Sequence, residues 1–321
     1  MNQSNAFPNE EIAAEVVTAM THEKVLSSIR MTTGDQYFVF AVKTTNNEYV
    51  IRMANADFKK KFEAAIYWQE KLIPLGVPLA KFIKVDLDGK YSPFLALLMQ
   101  RLPGNDLCNV YLTLSDSDKR NLANEIVKIH AMVTALPIGK GYGIANSYEQ
   151  TPEERSWYEF IANRLQLFKD IIKHNAIFDA EQISKIILIA KGLEENLRAV
   201  PATPFLWDAS ERNVIVHQGK ISGIVDVDDL CFGDPLFVLG ITYAALEMEG
   251  YDTLYPDYWA EAWQLDKMAQ IRLDFYRLFF VVVFMRKHST MSTNQQKIIY
   301  NENRLQKMFD QALTRMGNDY Y

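Results

Sequence analysis

The chain reads as an α+β protein with a small, β-rich amino-terminal lobe and a larger, mainly helical carboxy-terminal lobe. Three observations predict this. Residues 25–100 hold five strand-like runs interrupted by a single helix, the chain then breaks at Pro103 and Gly104, and most of the remaining sequence is apolar at helical spacing. At 321 residues and 49% hydrophobic content there is material for two lobes with substantial cores. The expected division is 1–102 and 103–321, joined through a hinge at about 99–104.

A first helix carries Ile12, Val16, Val17 and Met20 on one side, with Asn9 as its cap. Strands are expected at Val25–Thr33, Gln36–Thr44 and Glu48–Ala54, turned by Gly34 and by Thr45–Asn47. Asp57–Ile73 is a helix with Phe58, Phe62, Ile66 and Leu72 at apolar positions. Strands Leu79–Val85 and Phe94–Gln100 come next, joined through Asp88 and Gly89. Ser115, with Asp118 three residues on, predicts a capped helix leading to Leu122, Ile126, Ile129 and His130. Thr151-Pro152-Glu153-Glu154 predicts another helix start, with proline in the first turn and carboxylates against the positive helix end. That helix carries Trp157, Phe160, Ile161, Leu165 and Phe168, and Ile183, Ile186, Ile187 and Leu193 mark a further one. After Pro235 helices are expected near 237–248, 265–287 and 294–316.

Composition excludes several functions. With 34 basic and 40 acidic side chains, a net charge of -6 and no block of like charges, the chain is not suited to nucleic acid. Cys108 and Cys231 lie in unrelated segments, without metal-ligand spacing and too few for a secreted disulfide framework, which points to a reducing cytoplasm. The first twenty residues carry Glu10, Glu11 and Glu15 and lack the apolar core of a signal peptide. The longest apolar run, Leu278–Met285, is eight residues between arginines, far short of the roughly 20 that cross a bilayer. A monomer or homodimer away from membranes is expected.

The chemistry concentrates between Phe205 and Pro235, FLWDASERNVIVHQGKISGIVDVDDLCFGDP. Asp208 is followed five positions on by Asn213 and thirteen later by Asp226. In kinases a catalytic-loop Asp meets the substrate hydroxyl, while a downstream Asn and a second Asp hold the magnesium ions that bridge the nucleotide phosphates. Asn213 opens an apolar run that turns at Gln218 and Gly219 and returns as ISGIVDVDD, so a hairpin delivers both metal ligands to one edge. An isolated Asp and Asn at this spacing is more often a turn in which both bond their own backbone. The continuation through Asp226, Asp228 and Gly233-Asp234-Pro235 reverses that preference.

This segment resembles the catalytic and metal-binding signature of the aminoglycoside phosphotransferases and related kinases of choline, homoserine and fructosamine. The chain is most similar in feel to hygromycin-type phosphotransferases, through YVIRM, the GYG segment at 141–143 and the Trp157–Ile161 patch. The resemblance implies a protein kinase-like fold, ATP as phosphoryl donor with GTP also open, and Mg2+. It assigns Asp208 as the catalytic base and Asn213 and Asp226 as metal ligands. Arg52 falls where the family has its phosphate-binding Lys, and Glu63 on the following helix is its expected carboxylate partner. Gly34, in the turn between Met31 and Tyr37, is expected over the phosphates. The carbonyl of Gln100 and the amide of Leu102 are expected to face adenine. Where the family has a His two positions before its catalytic Asp, this chain has Leu206.

The resemblance also implies a small hydroxylated molecule as acceptor. An acidic surface near Asp228, Asp229, Glu247, Glu249, Asp252 and Asp257 suits a polycationic aminoglycoside or aminocyclitol, although any solvated helix carries such residues. Choline-, homoserine- and sugar-like acceptors stay open, as does a nucleotide-binding protein without turnover, to which Leu206 and Arg52 point. His130 is expected as a packed, hydrogen-bonded core residue rather than a catalytic one.

Overall fold

The computed structural model describes residues 7–31, 37–288, 290 and 298–320. An antiparallel sheet forms the amino-terminal lobe. Helix α1 (Glu10–Thr21) leads into β1 (Val25–Met31), β2 (Phe38–Thr44) and β3 (Glu48–Ala54), then α2 (Lys59–Leu72), β4 (Phe82–Asp86) and β5 (Leu95–Gln100). The strand order is β1-β2-β3-β5-β4. Because side chains alternate along a strand, each strand divides its residues between two faces. Phe40, Ile51 and Leu98 pack against Val16, Val17 and Met20 of α1, whereas Tyr37, Ala54 and Leu97 lie against Phe62 and Ala65 of α2. Arg52, one residue on from Ile51, is thereby on the face away from α1. Asn9 caps α1 as expected, its Oδ1 accepting from the Ile12 amide at 2.9 Å.

The fourth strand starts later than expected. Leu79 instead bridges in parallel to Ile224, and the Ala80 carbonyl accepts from Gln69 Nε2 at 2.8 Å. These residues are therefore committed to the other lobe and to α2.

The carboxy-terminal lobe is mainly helical. It comprises β6 (Asn105–Asp106), α3 (Leu107–Val110), α4 (Asp116–Thr134), β7 (Gly143–Ala145), α5 (Trp157–Asn175), α6 (Ala180–Gly192), α7 (Glu194–Arg198) and β8 (Thr203–Phe205). Then come β9 (Val214–His217), β10 (Lys220–Ile224), β11 (Leu230–Gly233), α8 (Leu236–Glu249), α9 (Leu254–Trp263), α10 (Lys267–Lys287) and α11 (Glu302–Tyr320). The capping box of α4 is present, with Ser115 Oγ accepting from the Asp118 amide and Asp118 accepting from the Ser115 amide. The start expected at Thr151–Glu154 is not a helix. There the Glu154 carbonyl accepts from the Tyr142 amide at 3.0 Å, and α5 begins only at Trp157, capped by Ser156.

His130 is buried against Trp259, with ring centroids 5.1 Å apart, as a core residue. The expected hydrogen bond is missing, since neither ring nitrogen has a partner. Burial lowers its pKa to about 3, so the imidazole is neutral. No helix among the described residues is long and apolar enough to cross a membrane.

Candidate functional site

A cleft of about 750 Å³ opens between the sheet and the helical lobe. Its roof is the face of the sheet that alternation turns away from α1: Tyr37, Val39, Val50, Arg52 and Met99. Its floor is the loop and hairpin carrying Asp208, Asn213 and Asp226, and Gln100 and Leu102 stand at its edge. Six of the residues singled out in the sequence therefore share one cavity.

The hairpin is built as expected. β9 and β10 pair antiparallel with Lys220 opposite His217, and Gln218 and Gly219 both take positive φ (50° and 73°), as a tight primed turn requires. At its open end the Val225 amide donates to the Asn213 carbonyl at 2.9 Å, which brings Asp226 alongside Asn213. Asn213 Nδ2 donates to the Asp208 carbonyl at 2.7 Å, so the carboxamide oxygen faces the other way. Ser210 Oγ lies 3.2 Å from Asp208 Oδ1. Leu206 is buried beneath this loop, where apolar packing stands in for a polar support.

Asp226 has φ 59°, the left-handed region that Asp tolerates better than most side chains. Burial in the cleft wall and repulsion from Asp228 push its pKa up to about 7, although 36% of its side chain remains open. Burial also raises Asp208, against the opposing pull of Lys287 and the Ser210 hydroxyl. The neighbouring Glu211 is buried as well, and its pKa is pushed up to about 7 chiefly by burial.

Arg52 is paired differently from the expectation. Its Nη2 lies 2.5 Å from Asp228 Oδ2 and 3.5 Å from Asp226 Oδ1, and its guanidinium stacks 4.3 Å from the Tyr37 ring centroid. The Tyr37 hydroxyl donates to the same Asp228 oxygen. Glu63, the expected partner, is exposed on α2, and the helix instead sends Lys61 to Asp229. A carboxylate two residues after Asp226 reaches the buried cation directly, whereas Glu63 points into solvent. Gly34 and the rest of its turn lie outside the described residues.

The surface expected to attract a polycation is internally neutralised. Asp228 and Asp229 hold Arg52 and Lys61, Glu247 holds Arg277, Glu249 holds Arg212 at 2.8 Å, and Asp252 holds Lys119 at 2.7 Å. Asp257 accepts from the Tyr243 and Thr253 hydroxyls. The Gly233-Asp234-Pro235 segment is architectural. A Cβ on Gly233 would lie 2.1 Å from the Trp157 ring, and Asp234 accepts from Arg272 at 2.7 Å and from the Tyr276 hydroxyl at 2.8 Å.

The residues fit magnesium in the kinase manner. Asp226 is crowded by like charge that a cation would relieve, and the Asn213 oxygen is unspent. Among the described residues no group of three or more acidic, His or Cys side chains could hold a metal alone, and magnesium with nucleotide needs only one or two protein carboxylates.

The profile of the phosphotransferase enzyme family matches residues 29–272. The chain belongs to that family. It is a phosphotransferase, and its fold is shared with solved structures. A thermostable mutant of aminoglycoside phosphotransferase APH(4)-Ia superposes with TM-score 0.64 at 15% identity, covering 95% of this chain and 96% of that one. ADP-bound aminoglycoside phosphotransferase APH(2'')-Ib gives 0.65 at 13% identity, covering 98% and 99%. A putative fructosamine-3-kinase from Haemophilus somnus 129PT gives 0.62 at 14% identity, covering 94% and 96%. No curated protein matches the chain.

Sequence reasoning missed Asp228, Tyr37 and Lys61 around Arg52. The one signal was the acidic run Asp226-Val227-Asp228, which puts two carboxylates one residue apart just beyond the hairpin.

Proposed function

We propose that this phosphotransferase moves the γ-phosphoryl group of ATP to a hydroxyl of a small molecule. The observation that carries this reading is the convergence of Asp208, Asn213, Asp226 and Arg52 on one cleft between the sheet and the helical lobe. Asp208 orients the acceptor hydroxyl and takes its proton late in a loose transition state, where little base strength is needed. Asn213 Oδ1 and the Asp226 carboxylate would hold magnesium, which would supply positive charge against the phosphates when bound. Arg52, kept in place by Asp228 and Tyr37, neutralises phosphate charge, and positioning and electrostatics supply most of the acceleration.

The hinge at about 99–104 divides the lobes in this reading, with the Gln100 carbonyl and the Leu102 amide turned to the base. Backbone recognition also admits GTP, and one solved relative is a GDP complex of an aminoglycoside 2'-phosphotransferase. One solved structure similar to this chain is an APH(4)-Ia mutant in complex with AMP-PNP and hygromycin B, which keeps an aminoglycoside among the acceptors to assay. Against a polycation stands the internal pairing of the acidic surface.

Coupled ADP-release assays with Mg-ATP, run across aminoglycosides, choline-like alcohols, amino-acid alcohols and hydroxy acids, test the proposal. The expected result is acceptor-dependent ADP release that Asp208→Ala abolishes. Magnesium-dependent nucleotide binding with no release on any acceptor would instead identify a nucleotide-binding protein without turnover.

A further inference from the structure

Past Asp208 the cleft continues over α10, where Phe279, Val283 and Arg286 form one stripe and Phe280, Phe284 and Lys287 the next. The two stripes arise from helical spacing, since residues three and four apart share a face.

Arg286 is out of balance in this setting. Its Nε is shielded from solvent and makes no hydrogen bond, and its guanidinium sits 5.1 Å from the Phe168 ring centroid. Among the described residues no carboxylate pairs with it, and burial lowers its pKa. A guanidinium does not shed its proton at ordinary pH, so a half-buried one without a counter-ion is costly. Arg164, one turn before Phe168 on α5, lines the same recess, and its ion pair with Glu154 is long at 3.4 Å.

We propose that the acceptor carries an acidic group, of the carboxylate, sulfonate or phosphate class, that seats on Arg286, with an apolar skeleton against Phe168 and Val283 and its hydroxyl toward Asp208. This rests on the phosphotransferase reading and makes it specific. Charge and shape act together: the apolar wall takes an apolar body, and the cation fixes which end goes in first. A polycationic acceptor would meet the Arg286 guanidinium with its own ammonium groups.

The test is a pair of fluorescent probes that share a skeleton and differ by one charge. The full chain, loaded with magnesium and AMP-PNP, is titrated with 8-anilinonaphthalene-1-sulfonate and with uncharged N-phenyl-1-naphthylamine. The sulfonate is expected to bind about tenfold more tightly, as a charge-assisted contact in a partly dry site allows. Arg286→Leu should erase that preference, and Arg286→Lys should keep part of it, with far-ultraviolet ellipticity confirming the fold of both. Equal affinities in the unaltered protein, or a preference that survives Arg286→Leu, overturns the proposal. Calorimetric titration with AMP-PNP separates the two levels. Nucleotide binding without sulfonate preference sinks this inference alone, whereas no nucleotide binding removes the phosphotransferase reading and this inference with it.

Discussion

The Arg52 guanidinium lies 2.5 Å from Asp228, so one buried cation ties the third sheet strand to the segment just beyond the β9–β10 hairpin. Arg52 is only 5% exposed and Asp228 6%, which makes each the other's principal compensation. Removing one partner of such a pair leaves an uncompensated buried charge. Asp228→Ala is therefore expected to cost about 3 kcal/mol in urea unfolding. Glu63→Ala, at an exposed helix position, should change stability by no more than about 0.5 kcal/mol. Equal effects from the two substitutions would return the counter-ion role to α2.

Leu102, in the segment proposed as the hinge, depends on a glycine of β10. A Cβ on Gly223 would sit 2.6 Å from Leu102 Cδ1 and 3.0 Å from the Pro78 carbonyl oxygen, and that carbonyl accepts from the Ile224 amide at 2.8 Å. β10 thus presses on the hinge from below and clasps the turn after α2. Gly223→Ala should displace Leu102 and raise the KM for nucleotide several-fold, leaving the KM for the acceptor nearly unchanged. Steady-state kinetics with each substrate varied in turn distinguishes this from a general loss of fold, which would lower the active fraction without moving either KM.

His130 makes a prediction about acid stability. Its folded pKa is about 3, below an unfolded value near 6.5, so its contribution to stability is present above 6.5 and is lost as pH falls toward 3. Between pH 7 and pH 5 the unfolded chain gains a proton here that the folded chain does not, worth about 2 kcal/mol. His130→Leu keeps the apolar contact with Trp259 and removes that proton. The variant should lose about 2 kcal/mol less than the unaltered protein between those pH values in urea titrations. Parallel losses would mean that another group carries the acid sensitivity.

Much of this was legible in local pattern. Alternation in FVFAVKT and EYVIRMA identified β2 and β3, and the apolar runs flanking Gln218 and Gly219 identified the hairpin, because those signals depend on neighbours in sequence. The failures have a shared cause in long-range pairing. Thr151–Glu154 has the composition of a helix start, but Tyr142 takes its backbone; Leu79 looks like a strand residue, but Ile224 takes it. Arg52 was assigned to Glu63 on the following helix, when a residue 176 positions away reaches it. The Arg286 recess was invisible in sequence because α5 and α10 form it jointly.

Asp226 joins strain, charge and metal chemistry at one position. With φ 59° it occupies a conformation that Asn also accepts and Ala resists, so Asp226→Asn removes the charge without adding backbone strain. Its folded pKa of about 7 exceeds the unfolded carboxyl value near 3.8. The folded state therefore binds the proton more tightly, and its contribution is present below 3.8 and lost as pH rises through 7. In metal-free buffer the melting temperature of Asp226→Asn should fall less between pH 5 and pH 8 than that of the unaltered protein. The metal-bound state reverses the preference, because a cation selects the ionised carboxylate. Magnesium-dependent affinity for AMP-PNP should accordingly rise with pH through about 7 in the unaltered protein and stay flat and weak in Asp226→Asn. Its kcat should fall by at least about 10²-fold. A variant equally stable but still fully active would mean that the carboxylate at 226 serves the fold and not the phosphoryl transfer.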